Sequence, residues 1–338
     1  MNVAPQQLTA KDFATDQEVR WCPGCGDYAI LKALQRTMPE IGAVREKTVF
    51  VSGIGCAARF PYYMDTYGFH TIHGRAPAFA TGIKLANPEL DVWVVGGDGD
   101  MLSIGGNHLM HTLRRNVDLQ ILIFNNEIYG LTKGQYSPTS RIGTRSPSTP
   151  QGSVEAPVTA ALFALGSGAR FVARSVDTDQ KHLPEMFKRA HGHRGASLVE
   201  IFQNCIVYND GVFDSFKDSA VAAERQVRLE HGKPMLFGKE SNRGLRVRAG
   251  SYELEAVTIG ENGVTADDIL IHDETDKILA TMLASMDTDT LPVALGVLYC
   301  NPAATYESGV VGQIDEAKAK APDADLNKLL RSGYTWKV

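Results

Sequence analysis

No apolar stretch in this 338-residue chain is long enough to span a bilayer, no basic run marks it for nucleic acid, and its five cysteines are too dispersed for a disulfide framework. The first absence argues against a helical membrane span. The second, with a formal net charge of -5, argues against nucleic acid as the main partner. The third, with its odd count, fits a reducing compartment. Residues 1–16 are polar and mixed in charge, without the basic and apolar regions of a secretory signal, so a cytoplasmic location is expected. Internal repeats and low-complexity tracts are missing as well.

What is present is an alternation of strand and helix signals over the first two-thirds of the chain. Short apolar, β-branched runs predict strands at Thr48–Val51, Val92–Val95, Leu119–Phe124, Phe171–Ala173 and Leu198–Phe202. Apolar residues near helical spacing predict helices at Tyr28–Met38, Ala76–Leu85, Ser103–Arg115, Ala156–Leu165 and Gln180–Ala190. This order implies an α/β fold: a doubly wound, mostly parallel sheet with helices on both faces. Residues 1–20 read as an N-terminal segment, 21–228 as the main domain and 229–338 as a C-terminal extension. In that extension the signals are an alternating run at Tyr252–Ile259, a helix at Ala266–Met286 and a strand at Val293–Tyr299. The stretch from Lys133 to Pro157 is dense in Ser, Thr, Pro and Gly and reads as a flap over a site, because long loops in compact domains are usually functional or disordered.

The most informative local pattern is Gly97-Asp98-Gly99-Asp100 after the strand Val92–Val95, answered by Asn125-Asn126 at the end of Leu119–Phe124. Parallel sheets deliver ligands at such strand ends. Glycine allows close approach to phosphate, while Asp98 and Asn126 offer the hard oxygens that magnesium accepts, with a main-chain carbonyl near Ile128 to complete the set. The pattern resembles the thiamine diphosphate (TPP) motif, in which the aspartate, the second asparagine and a carbonyl two residues on hold magnesium. In this chain those are Asp98, Asn126 and Ile128.

Cysteines stand near the same sheet edge. Trp21-Cys22-Pro23-Gly24-Cys25-Gly26-Asp27 is a C-x-x-C at the mouth of the first helix, where Asp27 is expected to cap it. Cys56 follows Gly53-Ile54-Gly55, and Cys205 follows the strand ending at Phe202. If the four thiols converge, they suit zinc or an iron–sulfur cluster, and spacing alone leaves both open beside simple burial. Cys300, within an apolar strand, reads as core.

Taken in order, Cys22-Pro23-Gly24-Cys25-Gly26, Gly53-Ile54-Gly55-Cys56, His70-Thr71-Ile72-His73-Gly74-Arg75, Gly97-Asp98-Gly99-Asp100 and Asn125-Asn126 resemble the β subunit of 2-oxoacid:ferredoxin oxidoreductases, most nearly the 2-oxoglutarate type. The resemblance covers roughly Trp21 to Gly211. It implies that Cys22, Cys25, Cys56 and Cys205 ligate one 4Fe-4S cluster beside TPP and magnesium, and that His73, Gly97, Gly99, Asp100 and Gly130 join Asp98, Asn126 and Ile128 in holding the cofactor. It also implies that Arg59 and Lys133 face the substrate carboxylates, with Lys133 on a mobile loop, and that Arg75 lies near the diphosphate or substrate. Coenzyme A, ferredoxin and a separate α subunit follow as partners. The α subunit is expected to bring the carboxylic acid that activates TPP, so no catalytic acid is expected in this chain. Pyruvate or a branched 2-oxoacid, or a non-redox TPP reaction, are the alternatives.

Overall fold

The computed structural model describes residues 8–286, 288–321 and 325–336. Its strands are β1 (Thr48–Ser52), β2 (Tyr67–His70), β3 (Asp91–Gly97), β4 (Leu119–Asn125), β5 (Ile128–Tyr129), β6 (Gln135–Tyr136), β7 (Phe171–Val176), β8 (Ala196–Phe202), β9 (Gln226–Leu229), β10 (Leu236–Phe237), β11 (Arg243–Val247), β12 (Leu254–Thr258) and β13 (Val293–Cys300). Eight of them form one sheet in the order β2-β1-β3-β4-β8-β7-β13-β9. The first six in that order are mutually parallel; β13 is antiparallel to β7 and parallel to β9. The 229–338 stretch, expected as an extension, therefore supplies a strand to the main sheet.

Helices α1 (Asp27–Glu40), α2 (Ala76–Ala86), α3 (Gly106–Arg115), α4 (Ala160–Gly166) and α5 (His182–Gly192) cover the sheet. One apolar layer joins α1 and α5 to Phe50, Trp93, Leu122 and Phe124, and the other joins α2, α3, α4 and the helix Lys277–Ala284 to Val94, Ile121 and Ile123. Every residue of β4 is buried, as a central parallel strand requires. Phe124 meets Phe60 edge-on at 5.8 Å, in a layer where truncating a buried aromatic costs about 3–5 kcal/mol. That packing fixes the ends of β3 and β4.

Several sequence expectations are corrected. Gly26 occupies the N-cap of α1 and Asp27 is its first residue, buried, with Oδ1 lacking a partner, so Asp27 is not the cap. The helix expected at Ala266–Met286 divides into a single turn, Ala266–Asp268, and Lys277–Ala284, because Asp276 starts a new helix by accepting from Ile278 N at 2.8 Å and Leu279 N at 3.1 Å. Helix α4 begins at Ala160, after Pro157, since Val158 N is used by Pro138 O at 2.7 Å. Within the Lys133–Pro157 stretch, Ser137, Thr139 and Ser140 are buried, Thr139 against Asp98, whereas most of 141–157 is exposed and lines neither cavity of the site described below.

Candidate active site

The ends of β3 and β4 lead into adjacent turns. Asp98, 1 % exposed, faces a cavity of about 110 Å³ lined also by Gly97, Gly99, Asp100, Asn126, Ile128, Gly130 and His73. Burial holds the Asp98 carboxyl above its ordinary pKa. Its Oδ2 lies 2.7 Å from the hydroxyl of Thr139, which is also 3.0 Å from Asn125 Oδ1. Asn125 donates to Glu200 at 2.8 Å, and Glu200 is paired with buried Arg174 at 2.8 Å. A chain of buried polar groups thus fixes Asp98 from behind.

Asn126 is set by its own turn. Its Oδ1 accepts from Ile128 N at 3.2 Å, and Glu127 between them takes a left-handed φ of 55°, uncommon for a residue with a side chain. The turn brings Asn126 and Ile128 to one cavity. Glu127 itself is pushed up to about 7 by burial, opposed by Arg141 at 3.5 Å.

The Gly97–Asp100 turn divides its labour in a way that the sequence does not show. At Gly99 a Cβ would stand 2.1 Å from the Tyr129 ring, whose hydroxyl donates to Gly99 O at 3.2 Å, so Tyr129 is what demands glycine there. Asp100 lines the cavity, but its carboxylate works inward, accepting from Ile54 N at 3.1 Å, Gly74 N at 2.7 Å and His73 Nδ1 at 2.5 Å. It locks the loop ending at Cys56 and the His73–Arg75 turn to β3. The Arg75 guanidinium donates to Ile104 O at 3.2 Å and is absent from the lining of this cavity.

A second cavity, about 220 Å³, adjoins the first and is lined by Cys22, Cys25, Cys56 and Cys205, with Arg59 and Lys133 on the same walls. The two cavities share Cys56, Asn126, Gly130 and Leu131. Gly130 is the thin point: a Cβ there would lie 3.5 Å from Cys205 Sγ and 3.6 Å from Cys56 Sγ. Trp21 ties the C-x-x-C to Cys56 by donating from Nε1 to Cys56 O at 2.7 Å. The Cys56 thiol is pushed up to about 11, by burial first and the Asp27 charge second, and Cys25 is raised by the same two causes. Cys300 sits elsewhere, with its sulfur 3.8 Å from His193 Nδ1. Among the described residues, no three His, Cys, Asp or Glu side chains are grouped to hold a single metal ion.

Arg59 donates to Arg20 O at 2.5 Å and separates the thiol cavity from an open groove lined by Tyr62, Tyr63 and His70. Lys133 is held at a left-handed φ of 77°, beside Gly134, in the tight β5–β6 connection. Thr139, Tyr129, Trp21 and Gln203 were not found from the sequence. Only Trp21, abutting the C-x-x-C, carried a local signal.

Residues 53–201 match the family described as thiamine pyrophosphate enzyme, C-terminal TPP binding domain, the span that contains the Asp98 and Asn126 turns. The 2-oxoglutarate oxidoreductase subunit KorB of Mycobacterium tuberculosis is 48% identical, covering 98% of this chain and 89% of its own length. The chain belongs to the β subunits of 2-oxoacid:ferredoxin oxidoreductases. A β subunit from Aeropyrum pernix, of 2-oxoacid:ferredoxin oxidoreductase 1, is 49% identical over 59% of this chain and 62% of its own. The fold agrees with a solved Magnetococcus marinus 2-oxoglutarate:ferredoxin oxidoreductase, described with 2-oxoglutarate, coenzyme A and succinyl-CoA bound, at a TM-score of 0.77 and 33% identity over 98% of this chain and 97% of that one. This β subunit is a TPP-binding α/β chain, and no helix among its described residues is long and apolar enough to cross a membrane.

Proposed function

We propose that this β subunit, paired with an α subunit in the cytoplasm, oxidatively decarboxylates 2-oxoglutarate with coenzyme A to succinyl-CoA and carbon dioxide, its electrons passing through one 4Fe-4S cluster to ferredoxin. The observation that carries the reading is the pair of cavities sharing a wall at Gly130, one lined by hard oxygens and the other by four thiols.

Thiamine diphosphate, when bound, supplies the carbon nucleophile and electron sink that decarboxylation needs. The chain's own part is anchoring. Asp98, the Asn126 amide oxygen and the Ile128 carbonyl are the donor set for magnesium, which takes hard oxygens and retains water and phosphate in its remaining positions. The buried Thr139–Asn125–Glu200 chain supports that set, as outer-shell partners support metal ligands elsewhere. Cys22, Cys25, Cys56 and Cys205 surround a space rather than a point. That arrangement favours a cluster over a single zinc ion with sulfurs at about 2.3 Å. The raised pKa values of Cys25 and Cys56 mean that cluster binding at those two thiols releases protons. Arg59 and Lys133 bring positive charge to the thiol side, where a dicarboxylate substrate needs it against the diphosphate. The acid that activates TPP is assigned to the α subunit.

The test is TPP titration of the assembled complex at varied magnesium, with and without Asp98→Ala. The expected loss in Asp98→Ala is about 100-fold or more in TPP affinity, together with loss of magnesium dependence. Equal affinity in both proteins, or binding indifferent to magnesium, contradicts the assignment.

A further inference from the structure

Gln203 follows β8, is fully buried and belongs to neither motif on which the site was recognised. Its backbone N donates to Asn125 O at 2.8 Å, which holds it level with the end of β4. Its side chain then faces two ways. Oε1 accepts from Asn126 Nδ2 at 2.7 Å, and Nε2 donates to Cys25 Sγ at 3.3 Å and to Asn204 O at 2.5 Å. All three polar contacts of the amide are directional, and they leave only one placement of its oxygen and nitrogen.

The surroundings allow little movement. Gly26 N donates to Asn204 O at 3.1 Å, so the C-x-x-C loop is docked on the segment that carries Gln203. A Cβ on Gly26 would lie 3.0 Å from Gln203 Cγ and 2.1 Å from Asp177 Oδ2, which makes glycine there a condition of that docking. One buried amide is the direct link between the asparagine of the oxygen-lined cavity and a thiol of the sulfur-lined one.

We propose that Gln203 is a positioning residue that couples the two cofactor sites, its oxygen aiming the Asn126 amide at magnesium and its N–H stabilising the Cys25 sulfur of the cluster. This rests on the cluster reading given above. A hydrogen bond to a ligating sulfur favours the more electron-rich, reduced cluster, so it raises the reduction potential. A fixed acceptor for Asn126 Nδ2 keeps the opposite side of that amide, its oxygen, toward the diphosphate cavity.

Two substitutions separate these effects. Gln203→Met keeps length and volume but removes both contacts, whereas Gln203→Glu keeps an oxygen for Asn126 and, when ionised, replaces the donor to sulfur by a negative charge that shifts the potential in the same direction. In the anaerobic αβ holoenzyme, redox titration followed by electron paramagnetic resonance should show both variants with about a tenfold lower reduced-to-oxidised cluster ratio at fixed potential, a shift of about 59 mV for one electron. The magnesium concentration for half-maximal TPP binding should rise about tenfold in Gln203→Met and stay near wild type in Gln203→Glu. An unchanged midpoint in both variants, or an unchanged magnesium requirement in Gln203→Met, overturns the proposal. A wild-type complex without iron or a cluster signal overturns the cluster reading itself.

Discussion

The oxygen-lined and sulfur-lined cavities share a wall but are built differently. The first grows from the sheet: β3 and β4 end one residue before Asp98 and Asn126, and buried Thr139, Asn125, Glu200 and Arg174 fix Asp98 from behind. The second is assembled from loops, with Cys22 and Cys25 before α1, Cys56 after β1 and Cys205 after β8. The Trp21 indole ties Cys56 O to the C-x-x-C, and burial raises the pKa of the Cys25 and Cys56 thiols. Asp98 and Asn126 are hydrogen-bonded in place within this chain, whereas on the proposed reading the sulfur-lined site reaches charge balance only with its cluster bound. Apart from Gln203, whose amide touches both sides, a substitution on one side of Gly130 is therefore expected to spare the other.

The largest effect should come from Cys25→Ser. In the complex, iron content and ferredoxin-linked turnover are expected to fall by about 100-fold or more, while TPP still binds with near-wild-type affinity. Loss of TPP binding along with iron would show that the cavities do not behave separately. Arg59→Met, on the sulfur side, should lower kcat/KM for 2-oxoglutarate by roughly tenfold, the scale of a lost charged hydrogen bond, and for pyruvate much less. Equal losses on the two substrates would remove Arg59 from recognition of the distal carboxylate. On the oxygen side, Thr139→Val removes one of the two hydroxyls bonded to Asp98, leaving that of Ser137, and should weaken magnesium-dependent TPP binding about fivefold, with the cluster spectrum unchanged.

One further expected effect, on stability rather than on binding or turnover, lies outside both cavities. His182, bonded to Ser175 at 2.8 Å, has its pKa lowered to about 4 by burial. Its folded pKa is below its unfolded one of about 6.5, so the stability it contributes is present above that unfolded value and is lost as pH falls from there toward 4. His182→Gln should flatten the melting-temperature profile across that window, by no more than about 1.4 kcal/mol per pH unit. A profile as steep as wild type would place the acid sensitivity elsewhere.

The difference between the cavities also explains what was legible in the sequence. Asp98 and Asn126 were readable because each closes a short apolar strand, so motif and fold coincide within a few residues. Thr139 was not, since its partner lies 41 residues away and its own Ser- and Pro-rich surroundings read only as loop. Gln203 was hidden for a related reason: nothing local distinguishes it, and its role depends on contacts with Asn126 and Cys25 made by tertiary packing. Strand β2 escaped notice because Tyr67, Gly68, Phe69 and His70 are all exposed at the sheet edge, without the burial pattern that marks a strand. The tail was read as an accessory extension with a strand at Val293–Tyr299, and that this strand, β13, pairs with β7 more than a hundred residues earlier is a contact that periodicity cannot indicate.

The most direct measurement is the visible spectrum of the anaerobic, TPP-loaded αβ complex before and after 2-oxoglutarate and coenzyme A are added without ferredoxin. The account predicts a broad iron–sulfur absorbance that bleaches on substrate addition, because the cluster would take one of the two electrons that each oxidation releases, the second waiting for an external acceptor. A colourless, iron-free complex that still converts 2-oxoglutarate to succinyl-CoA would contradict it.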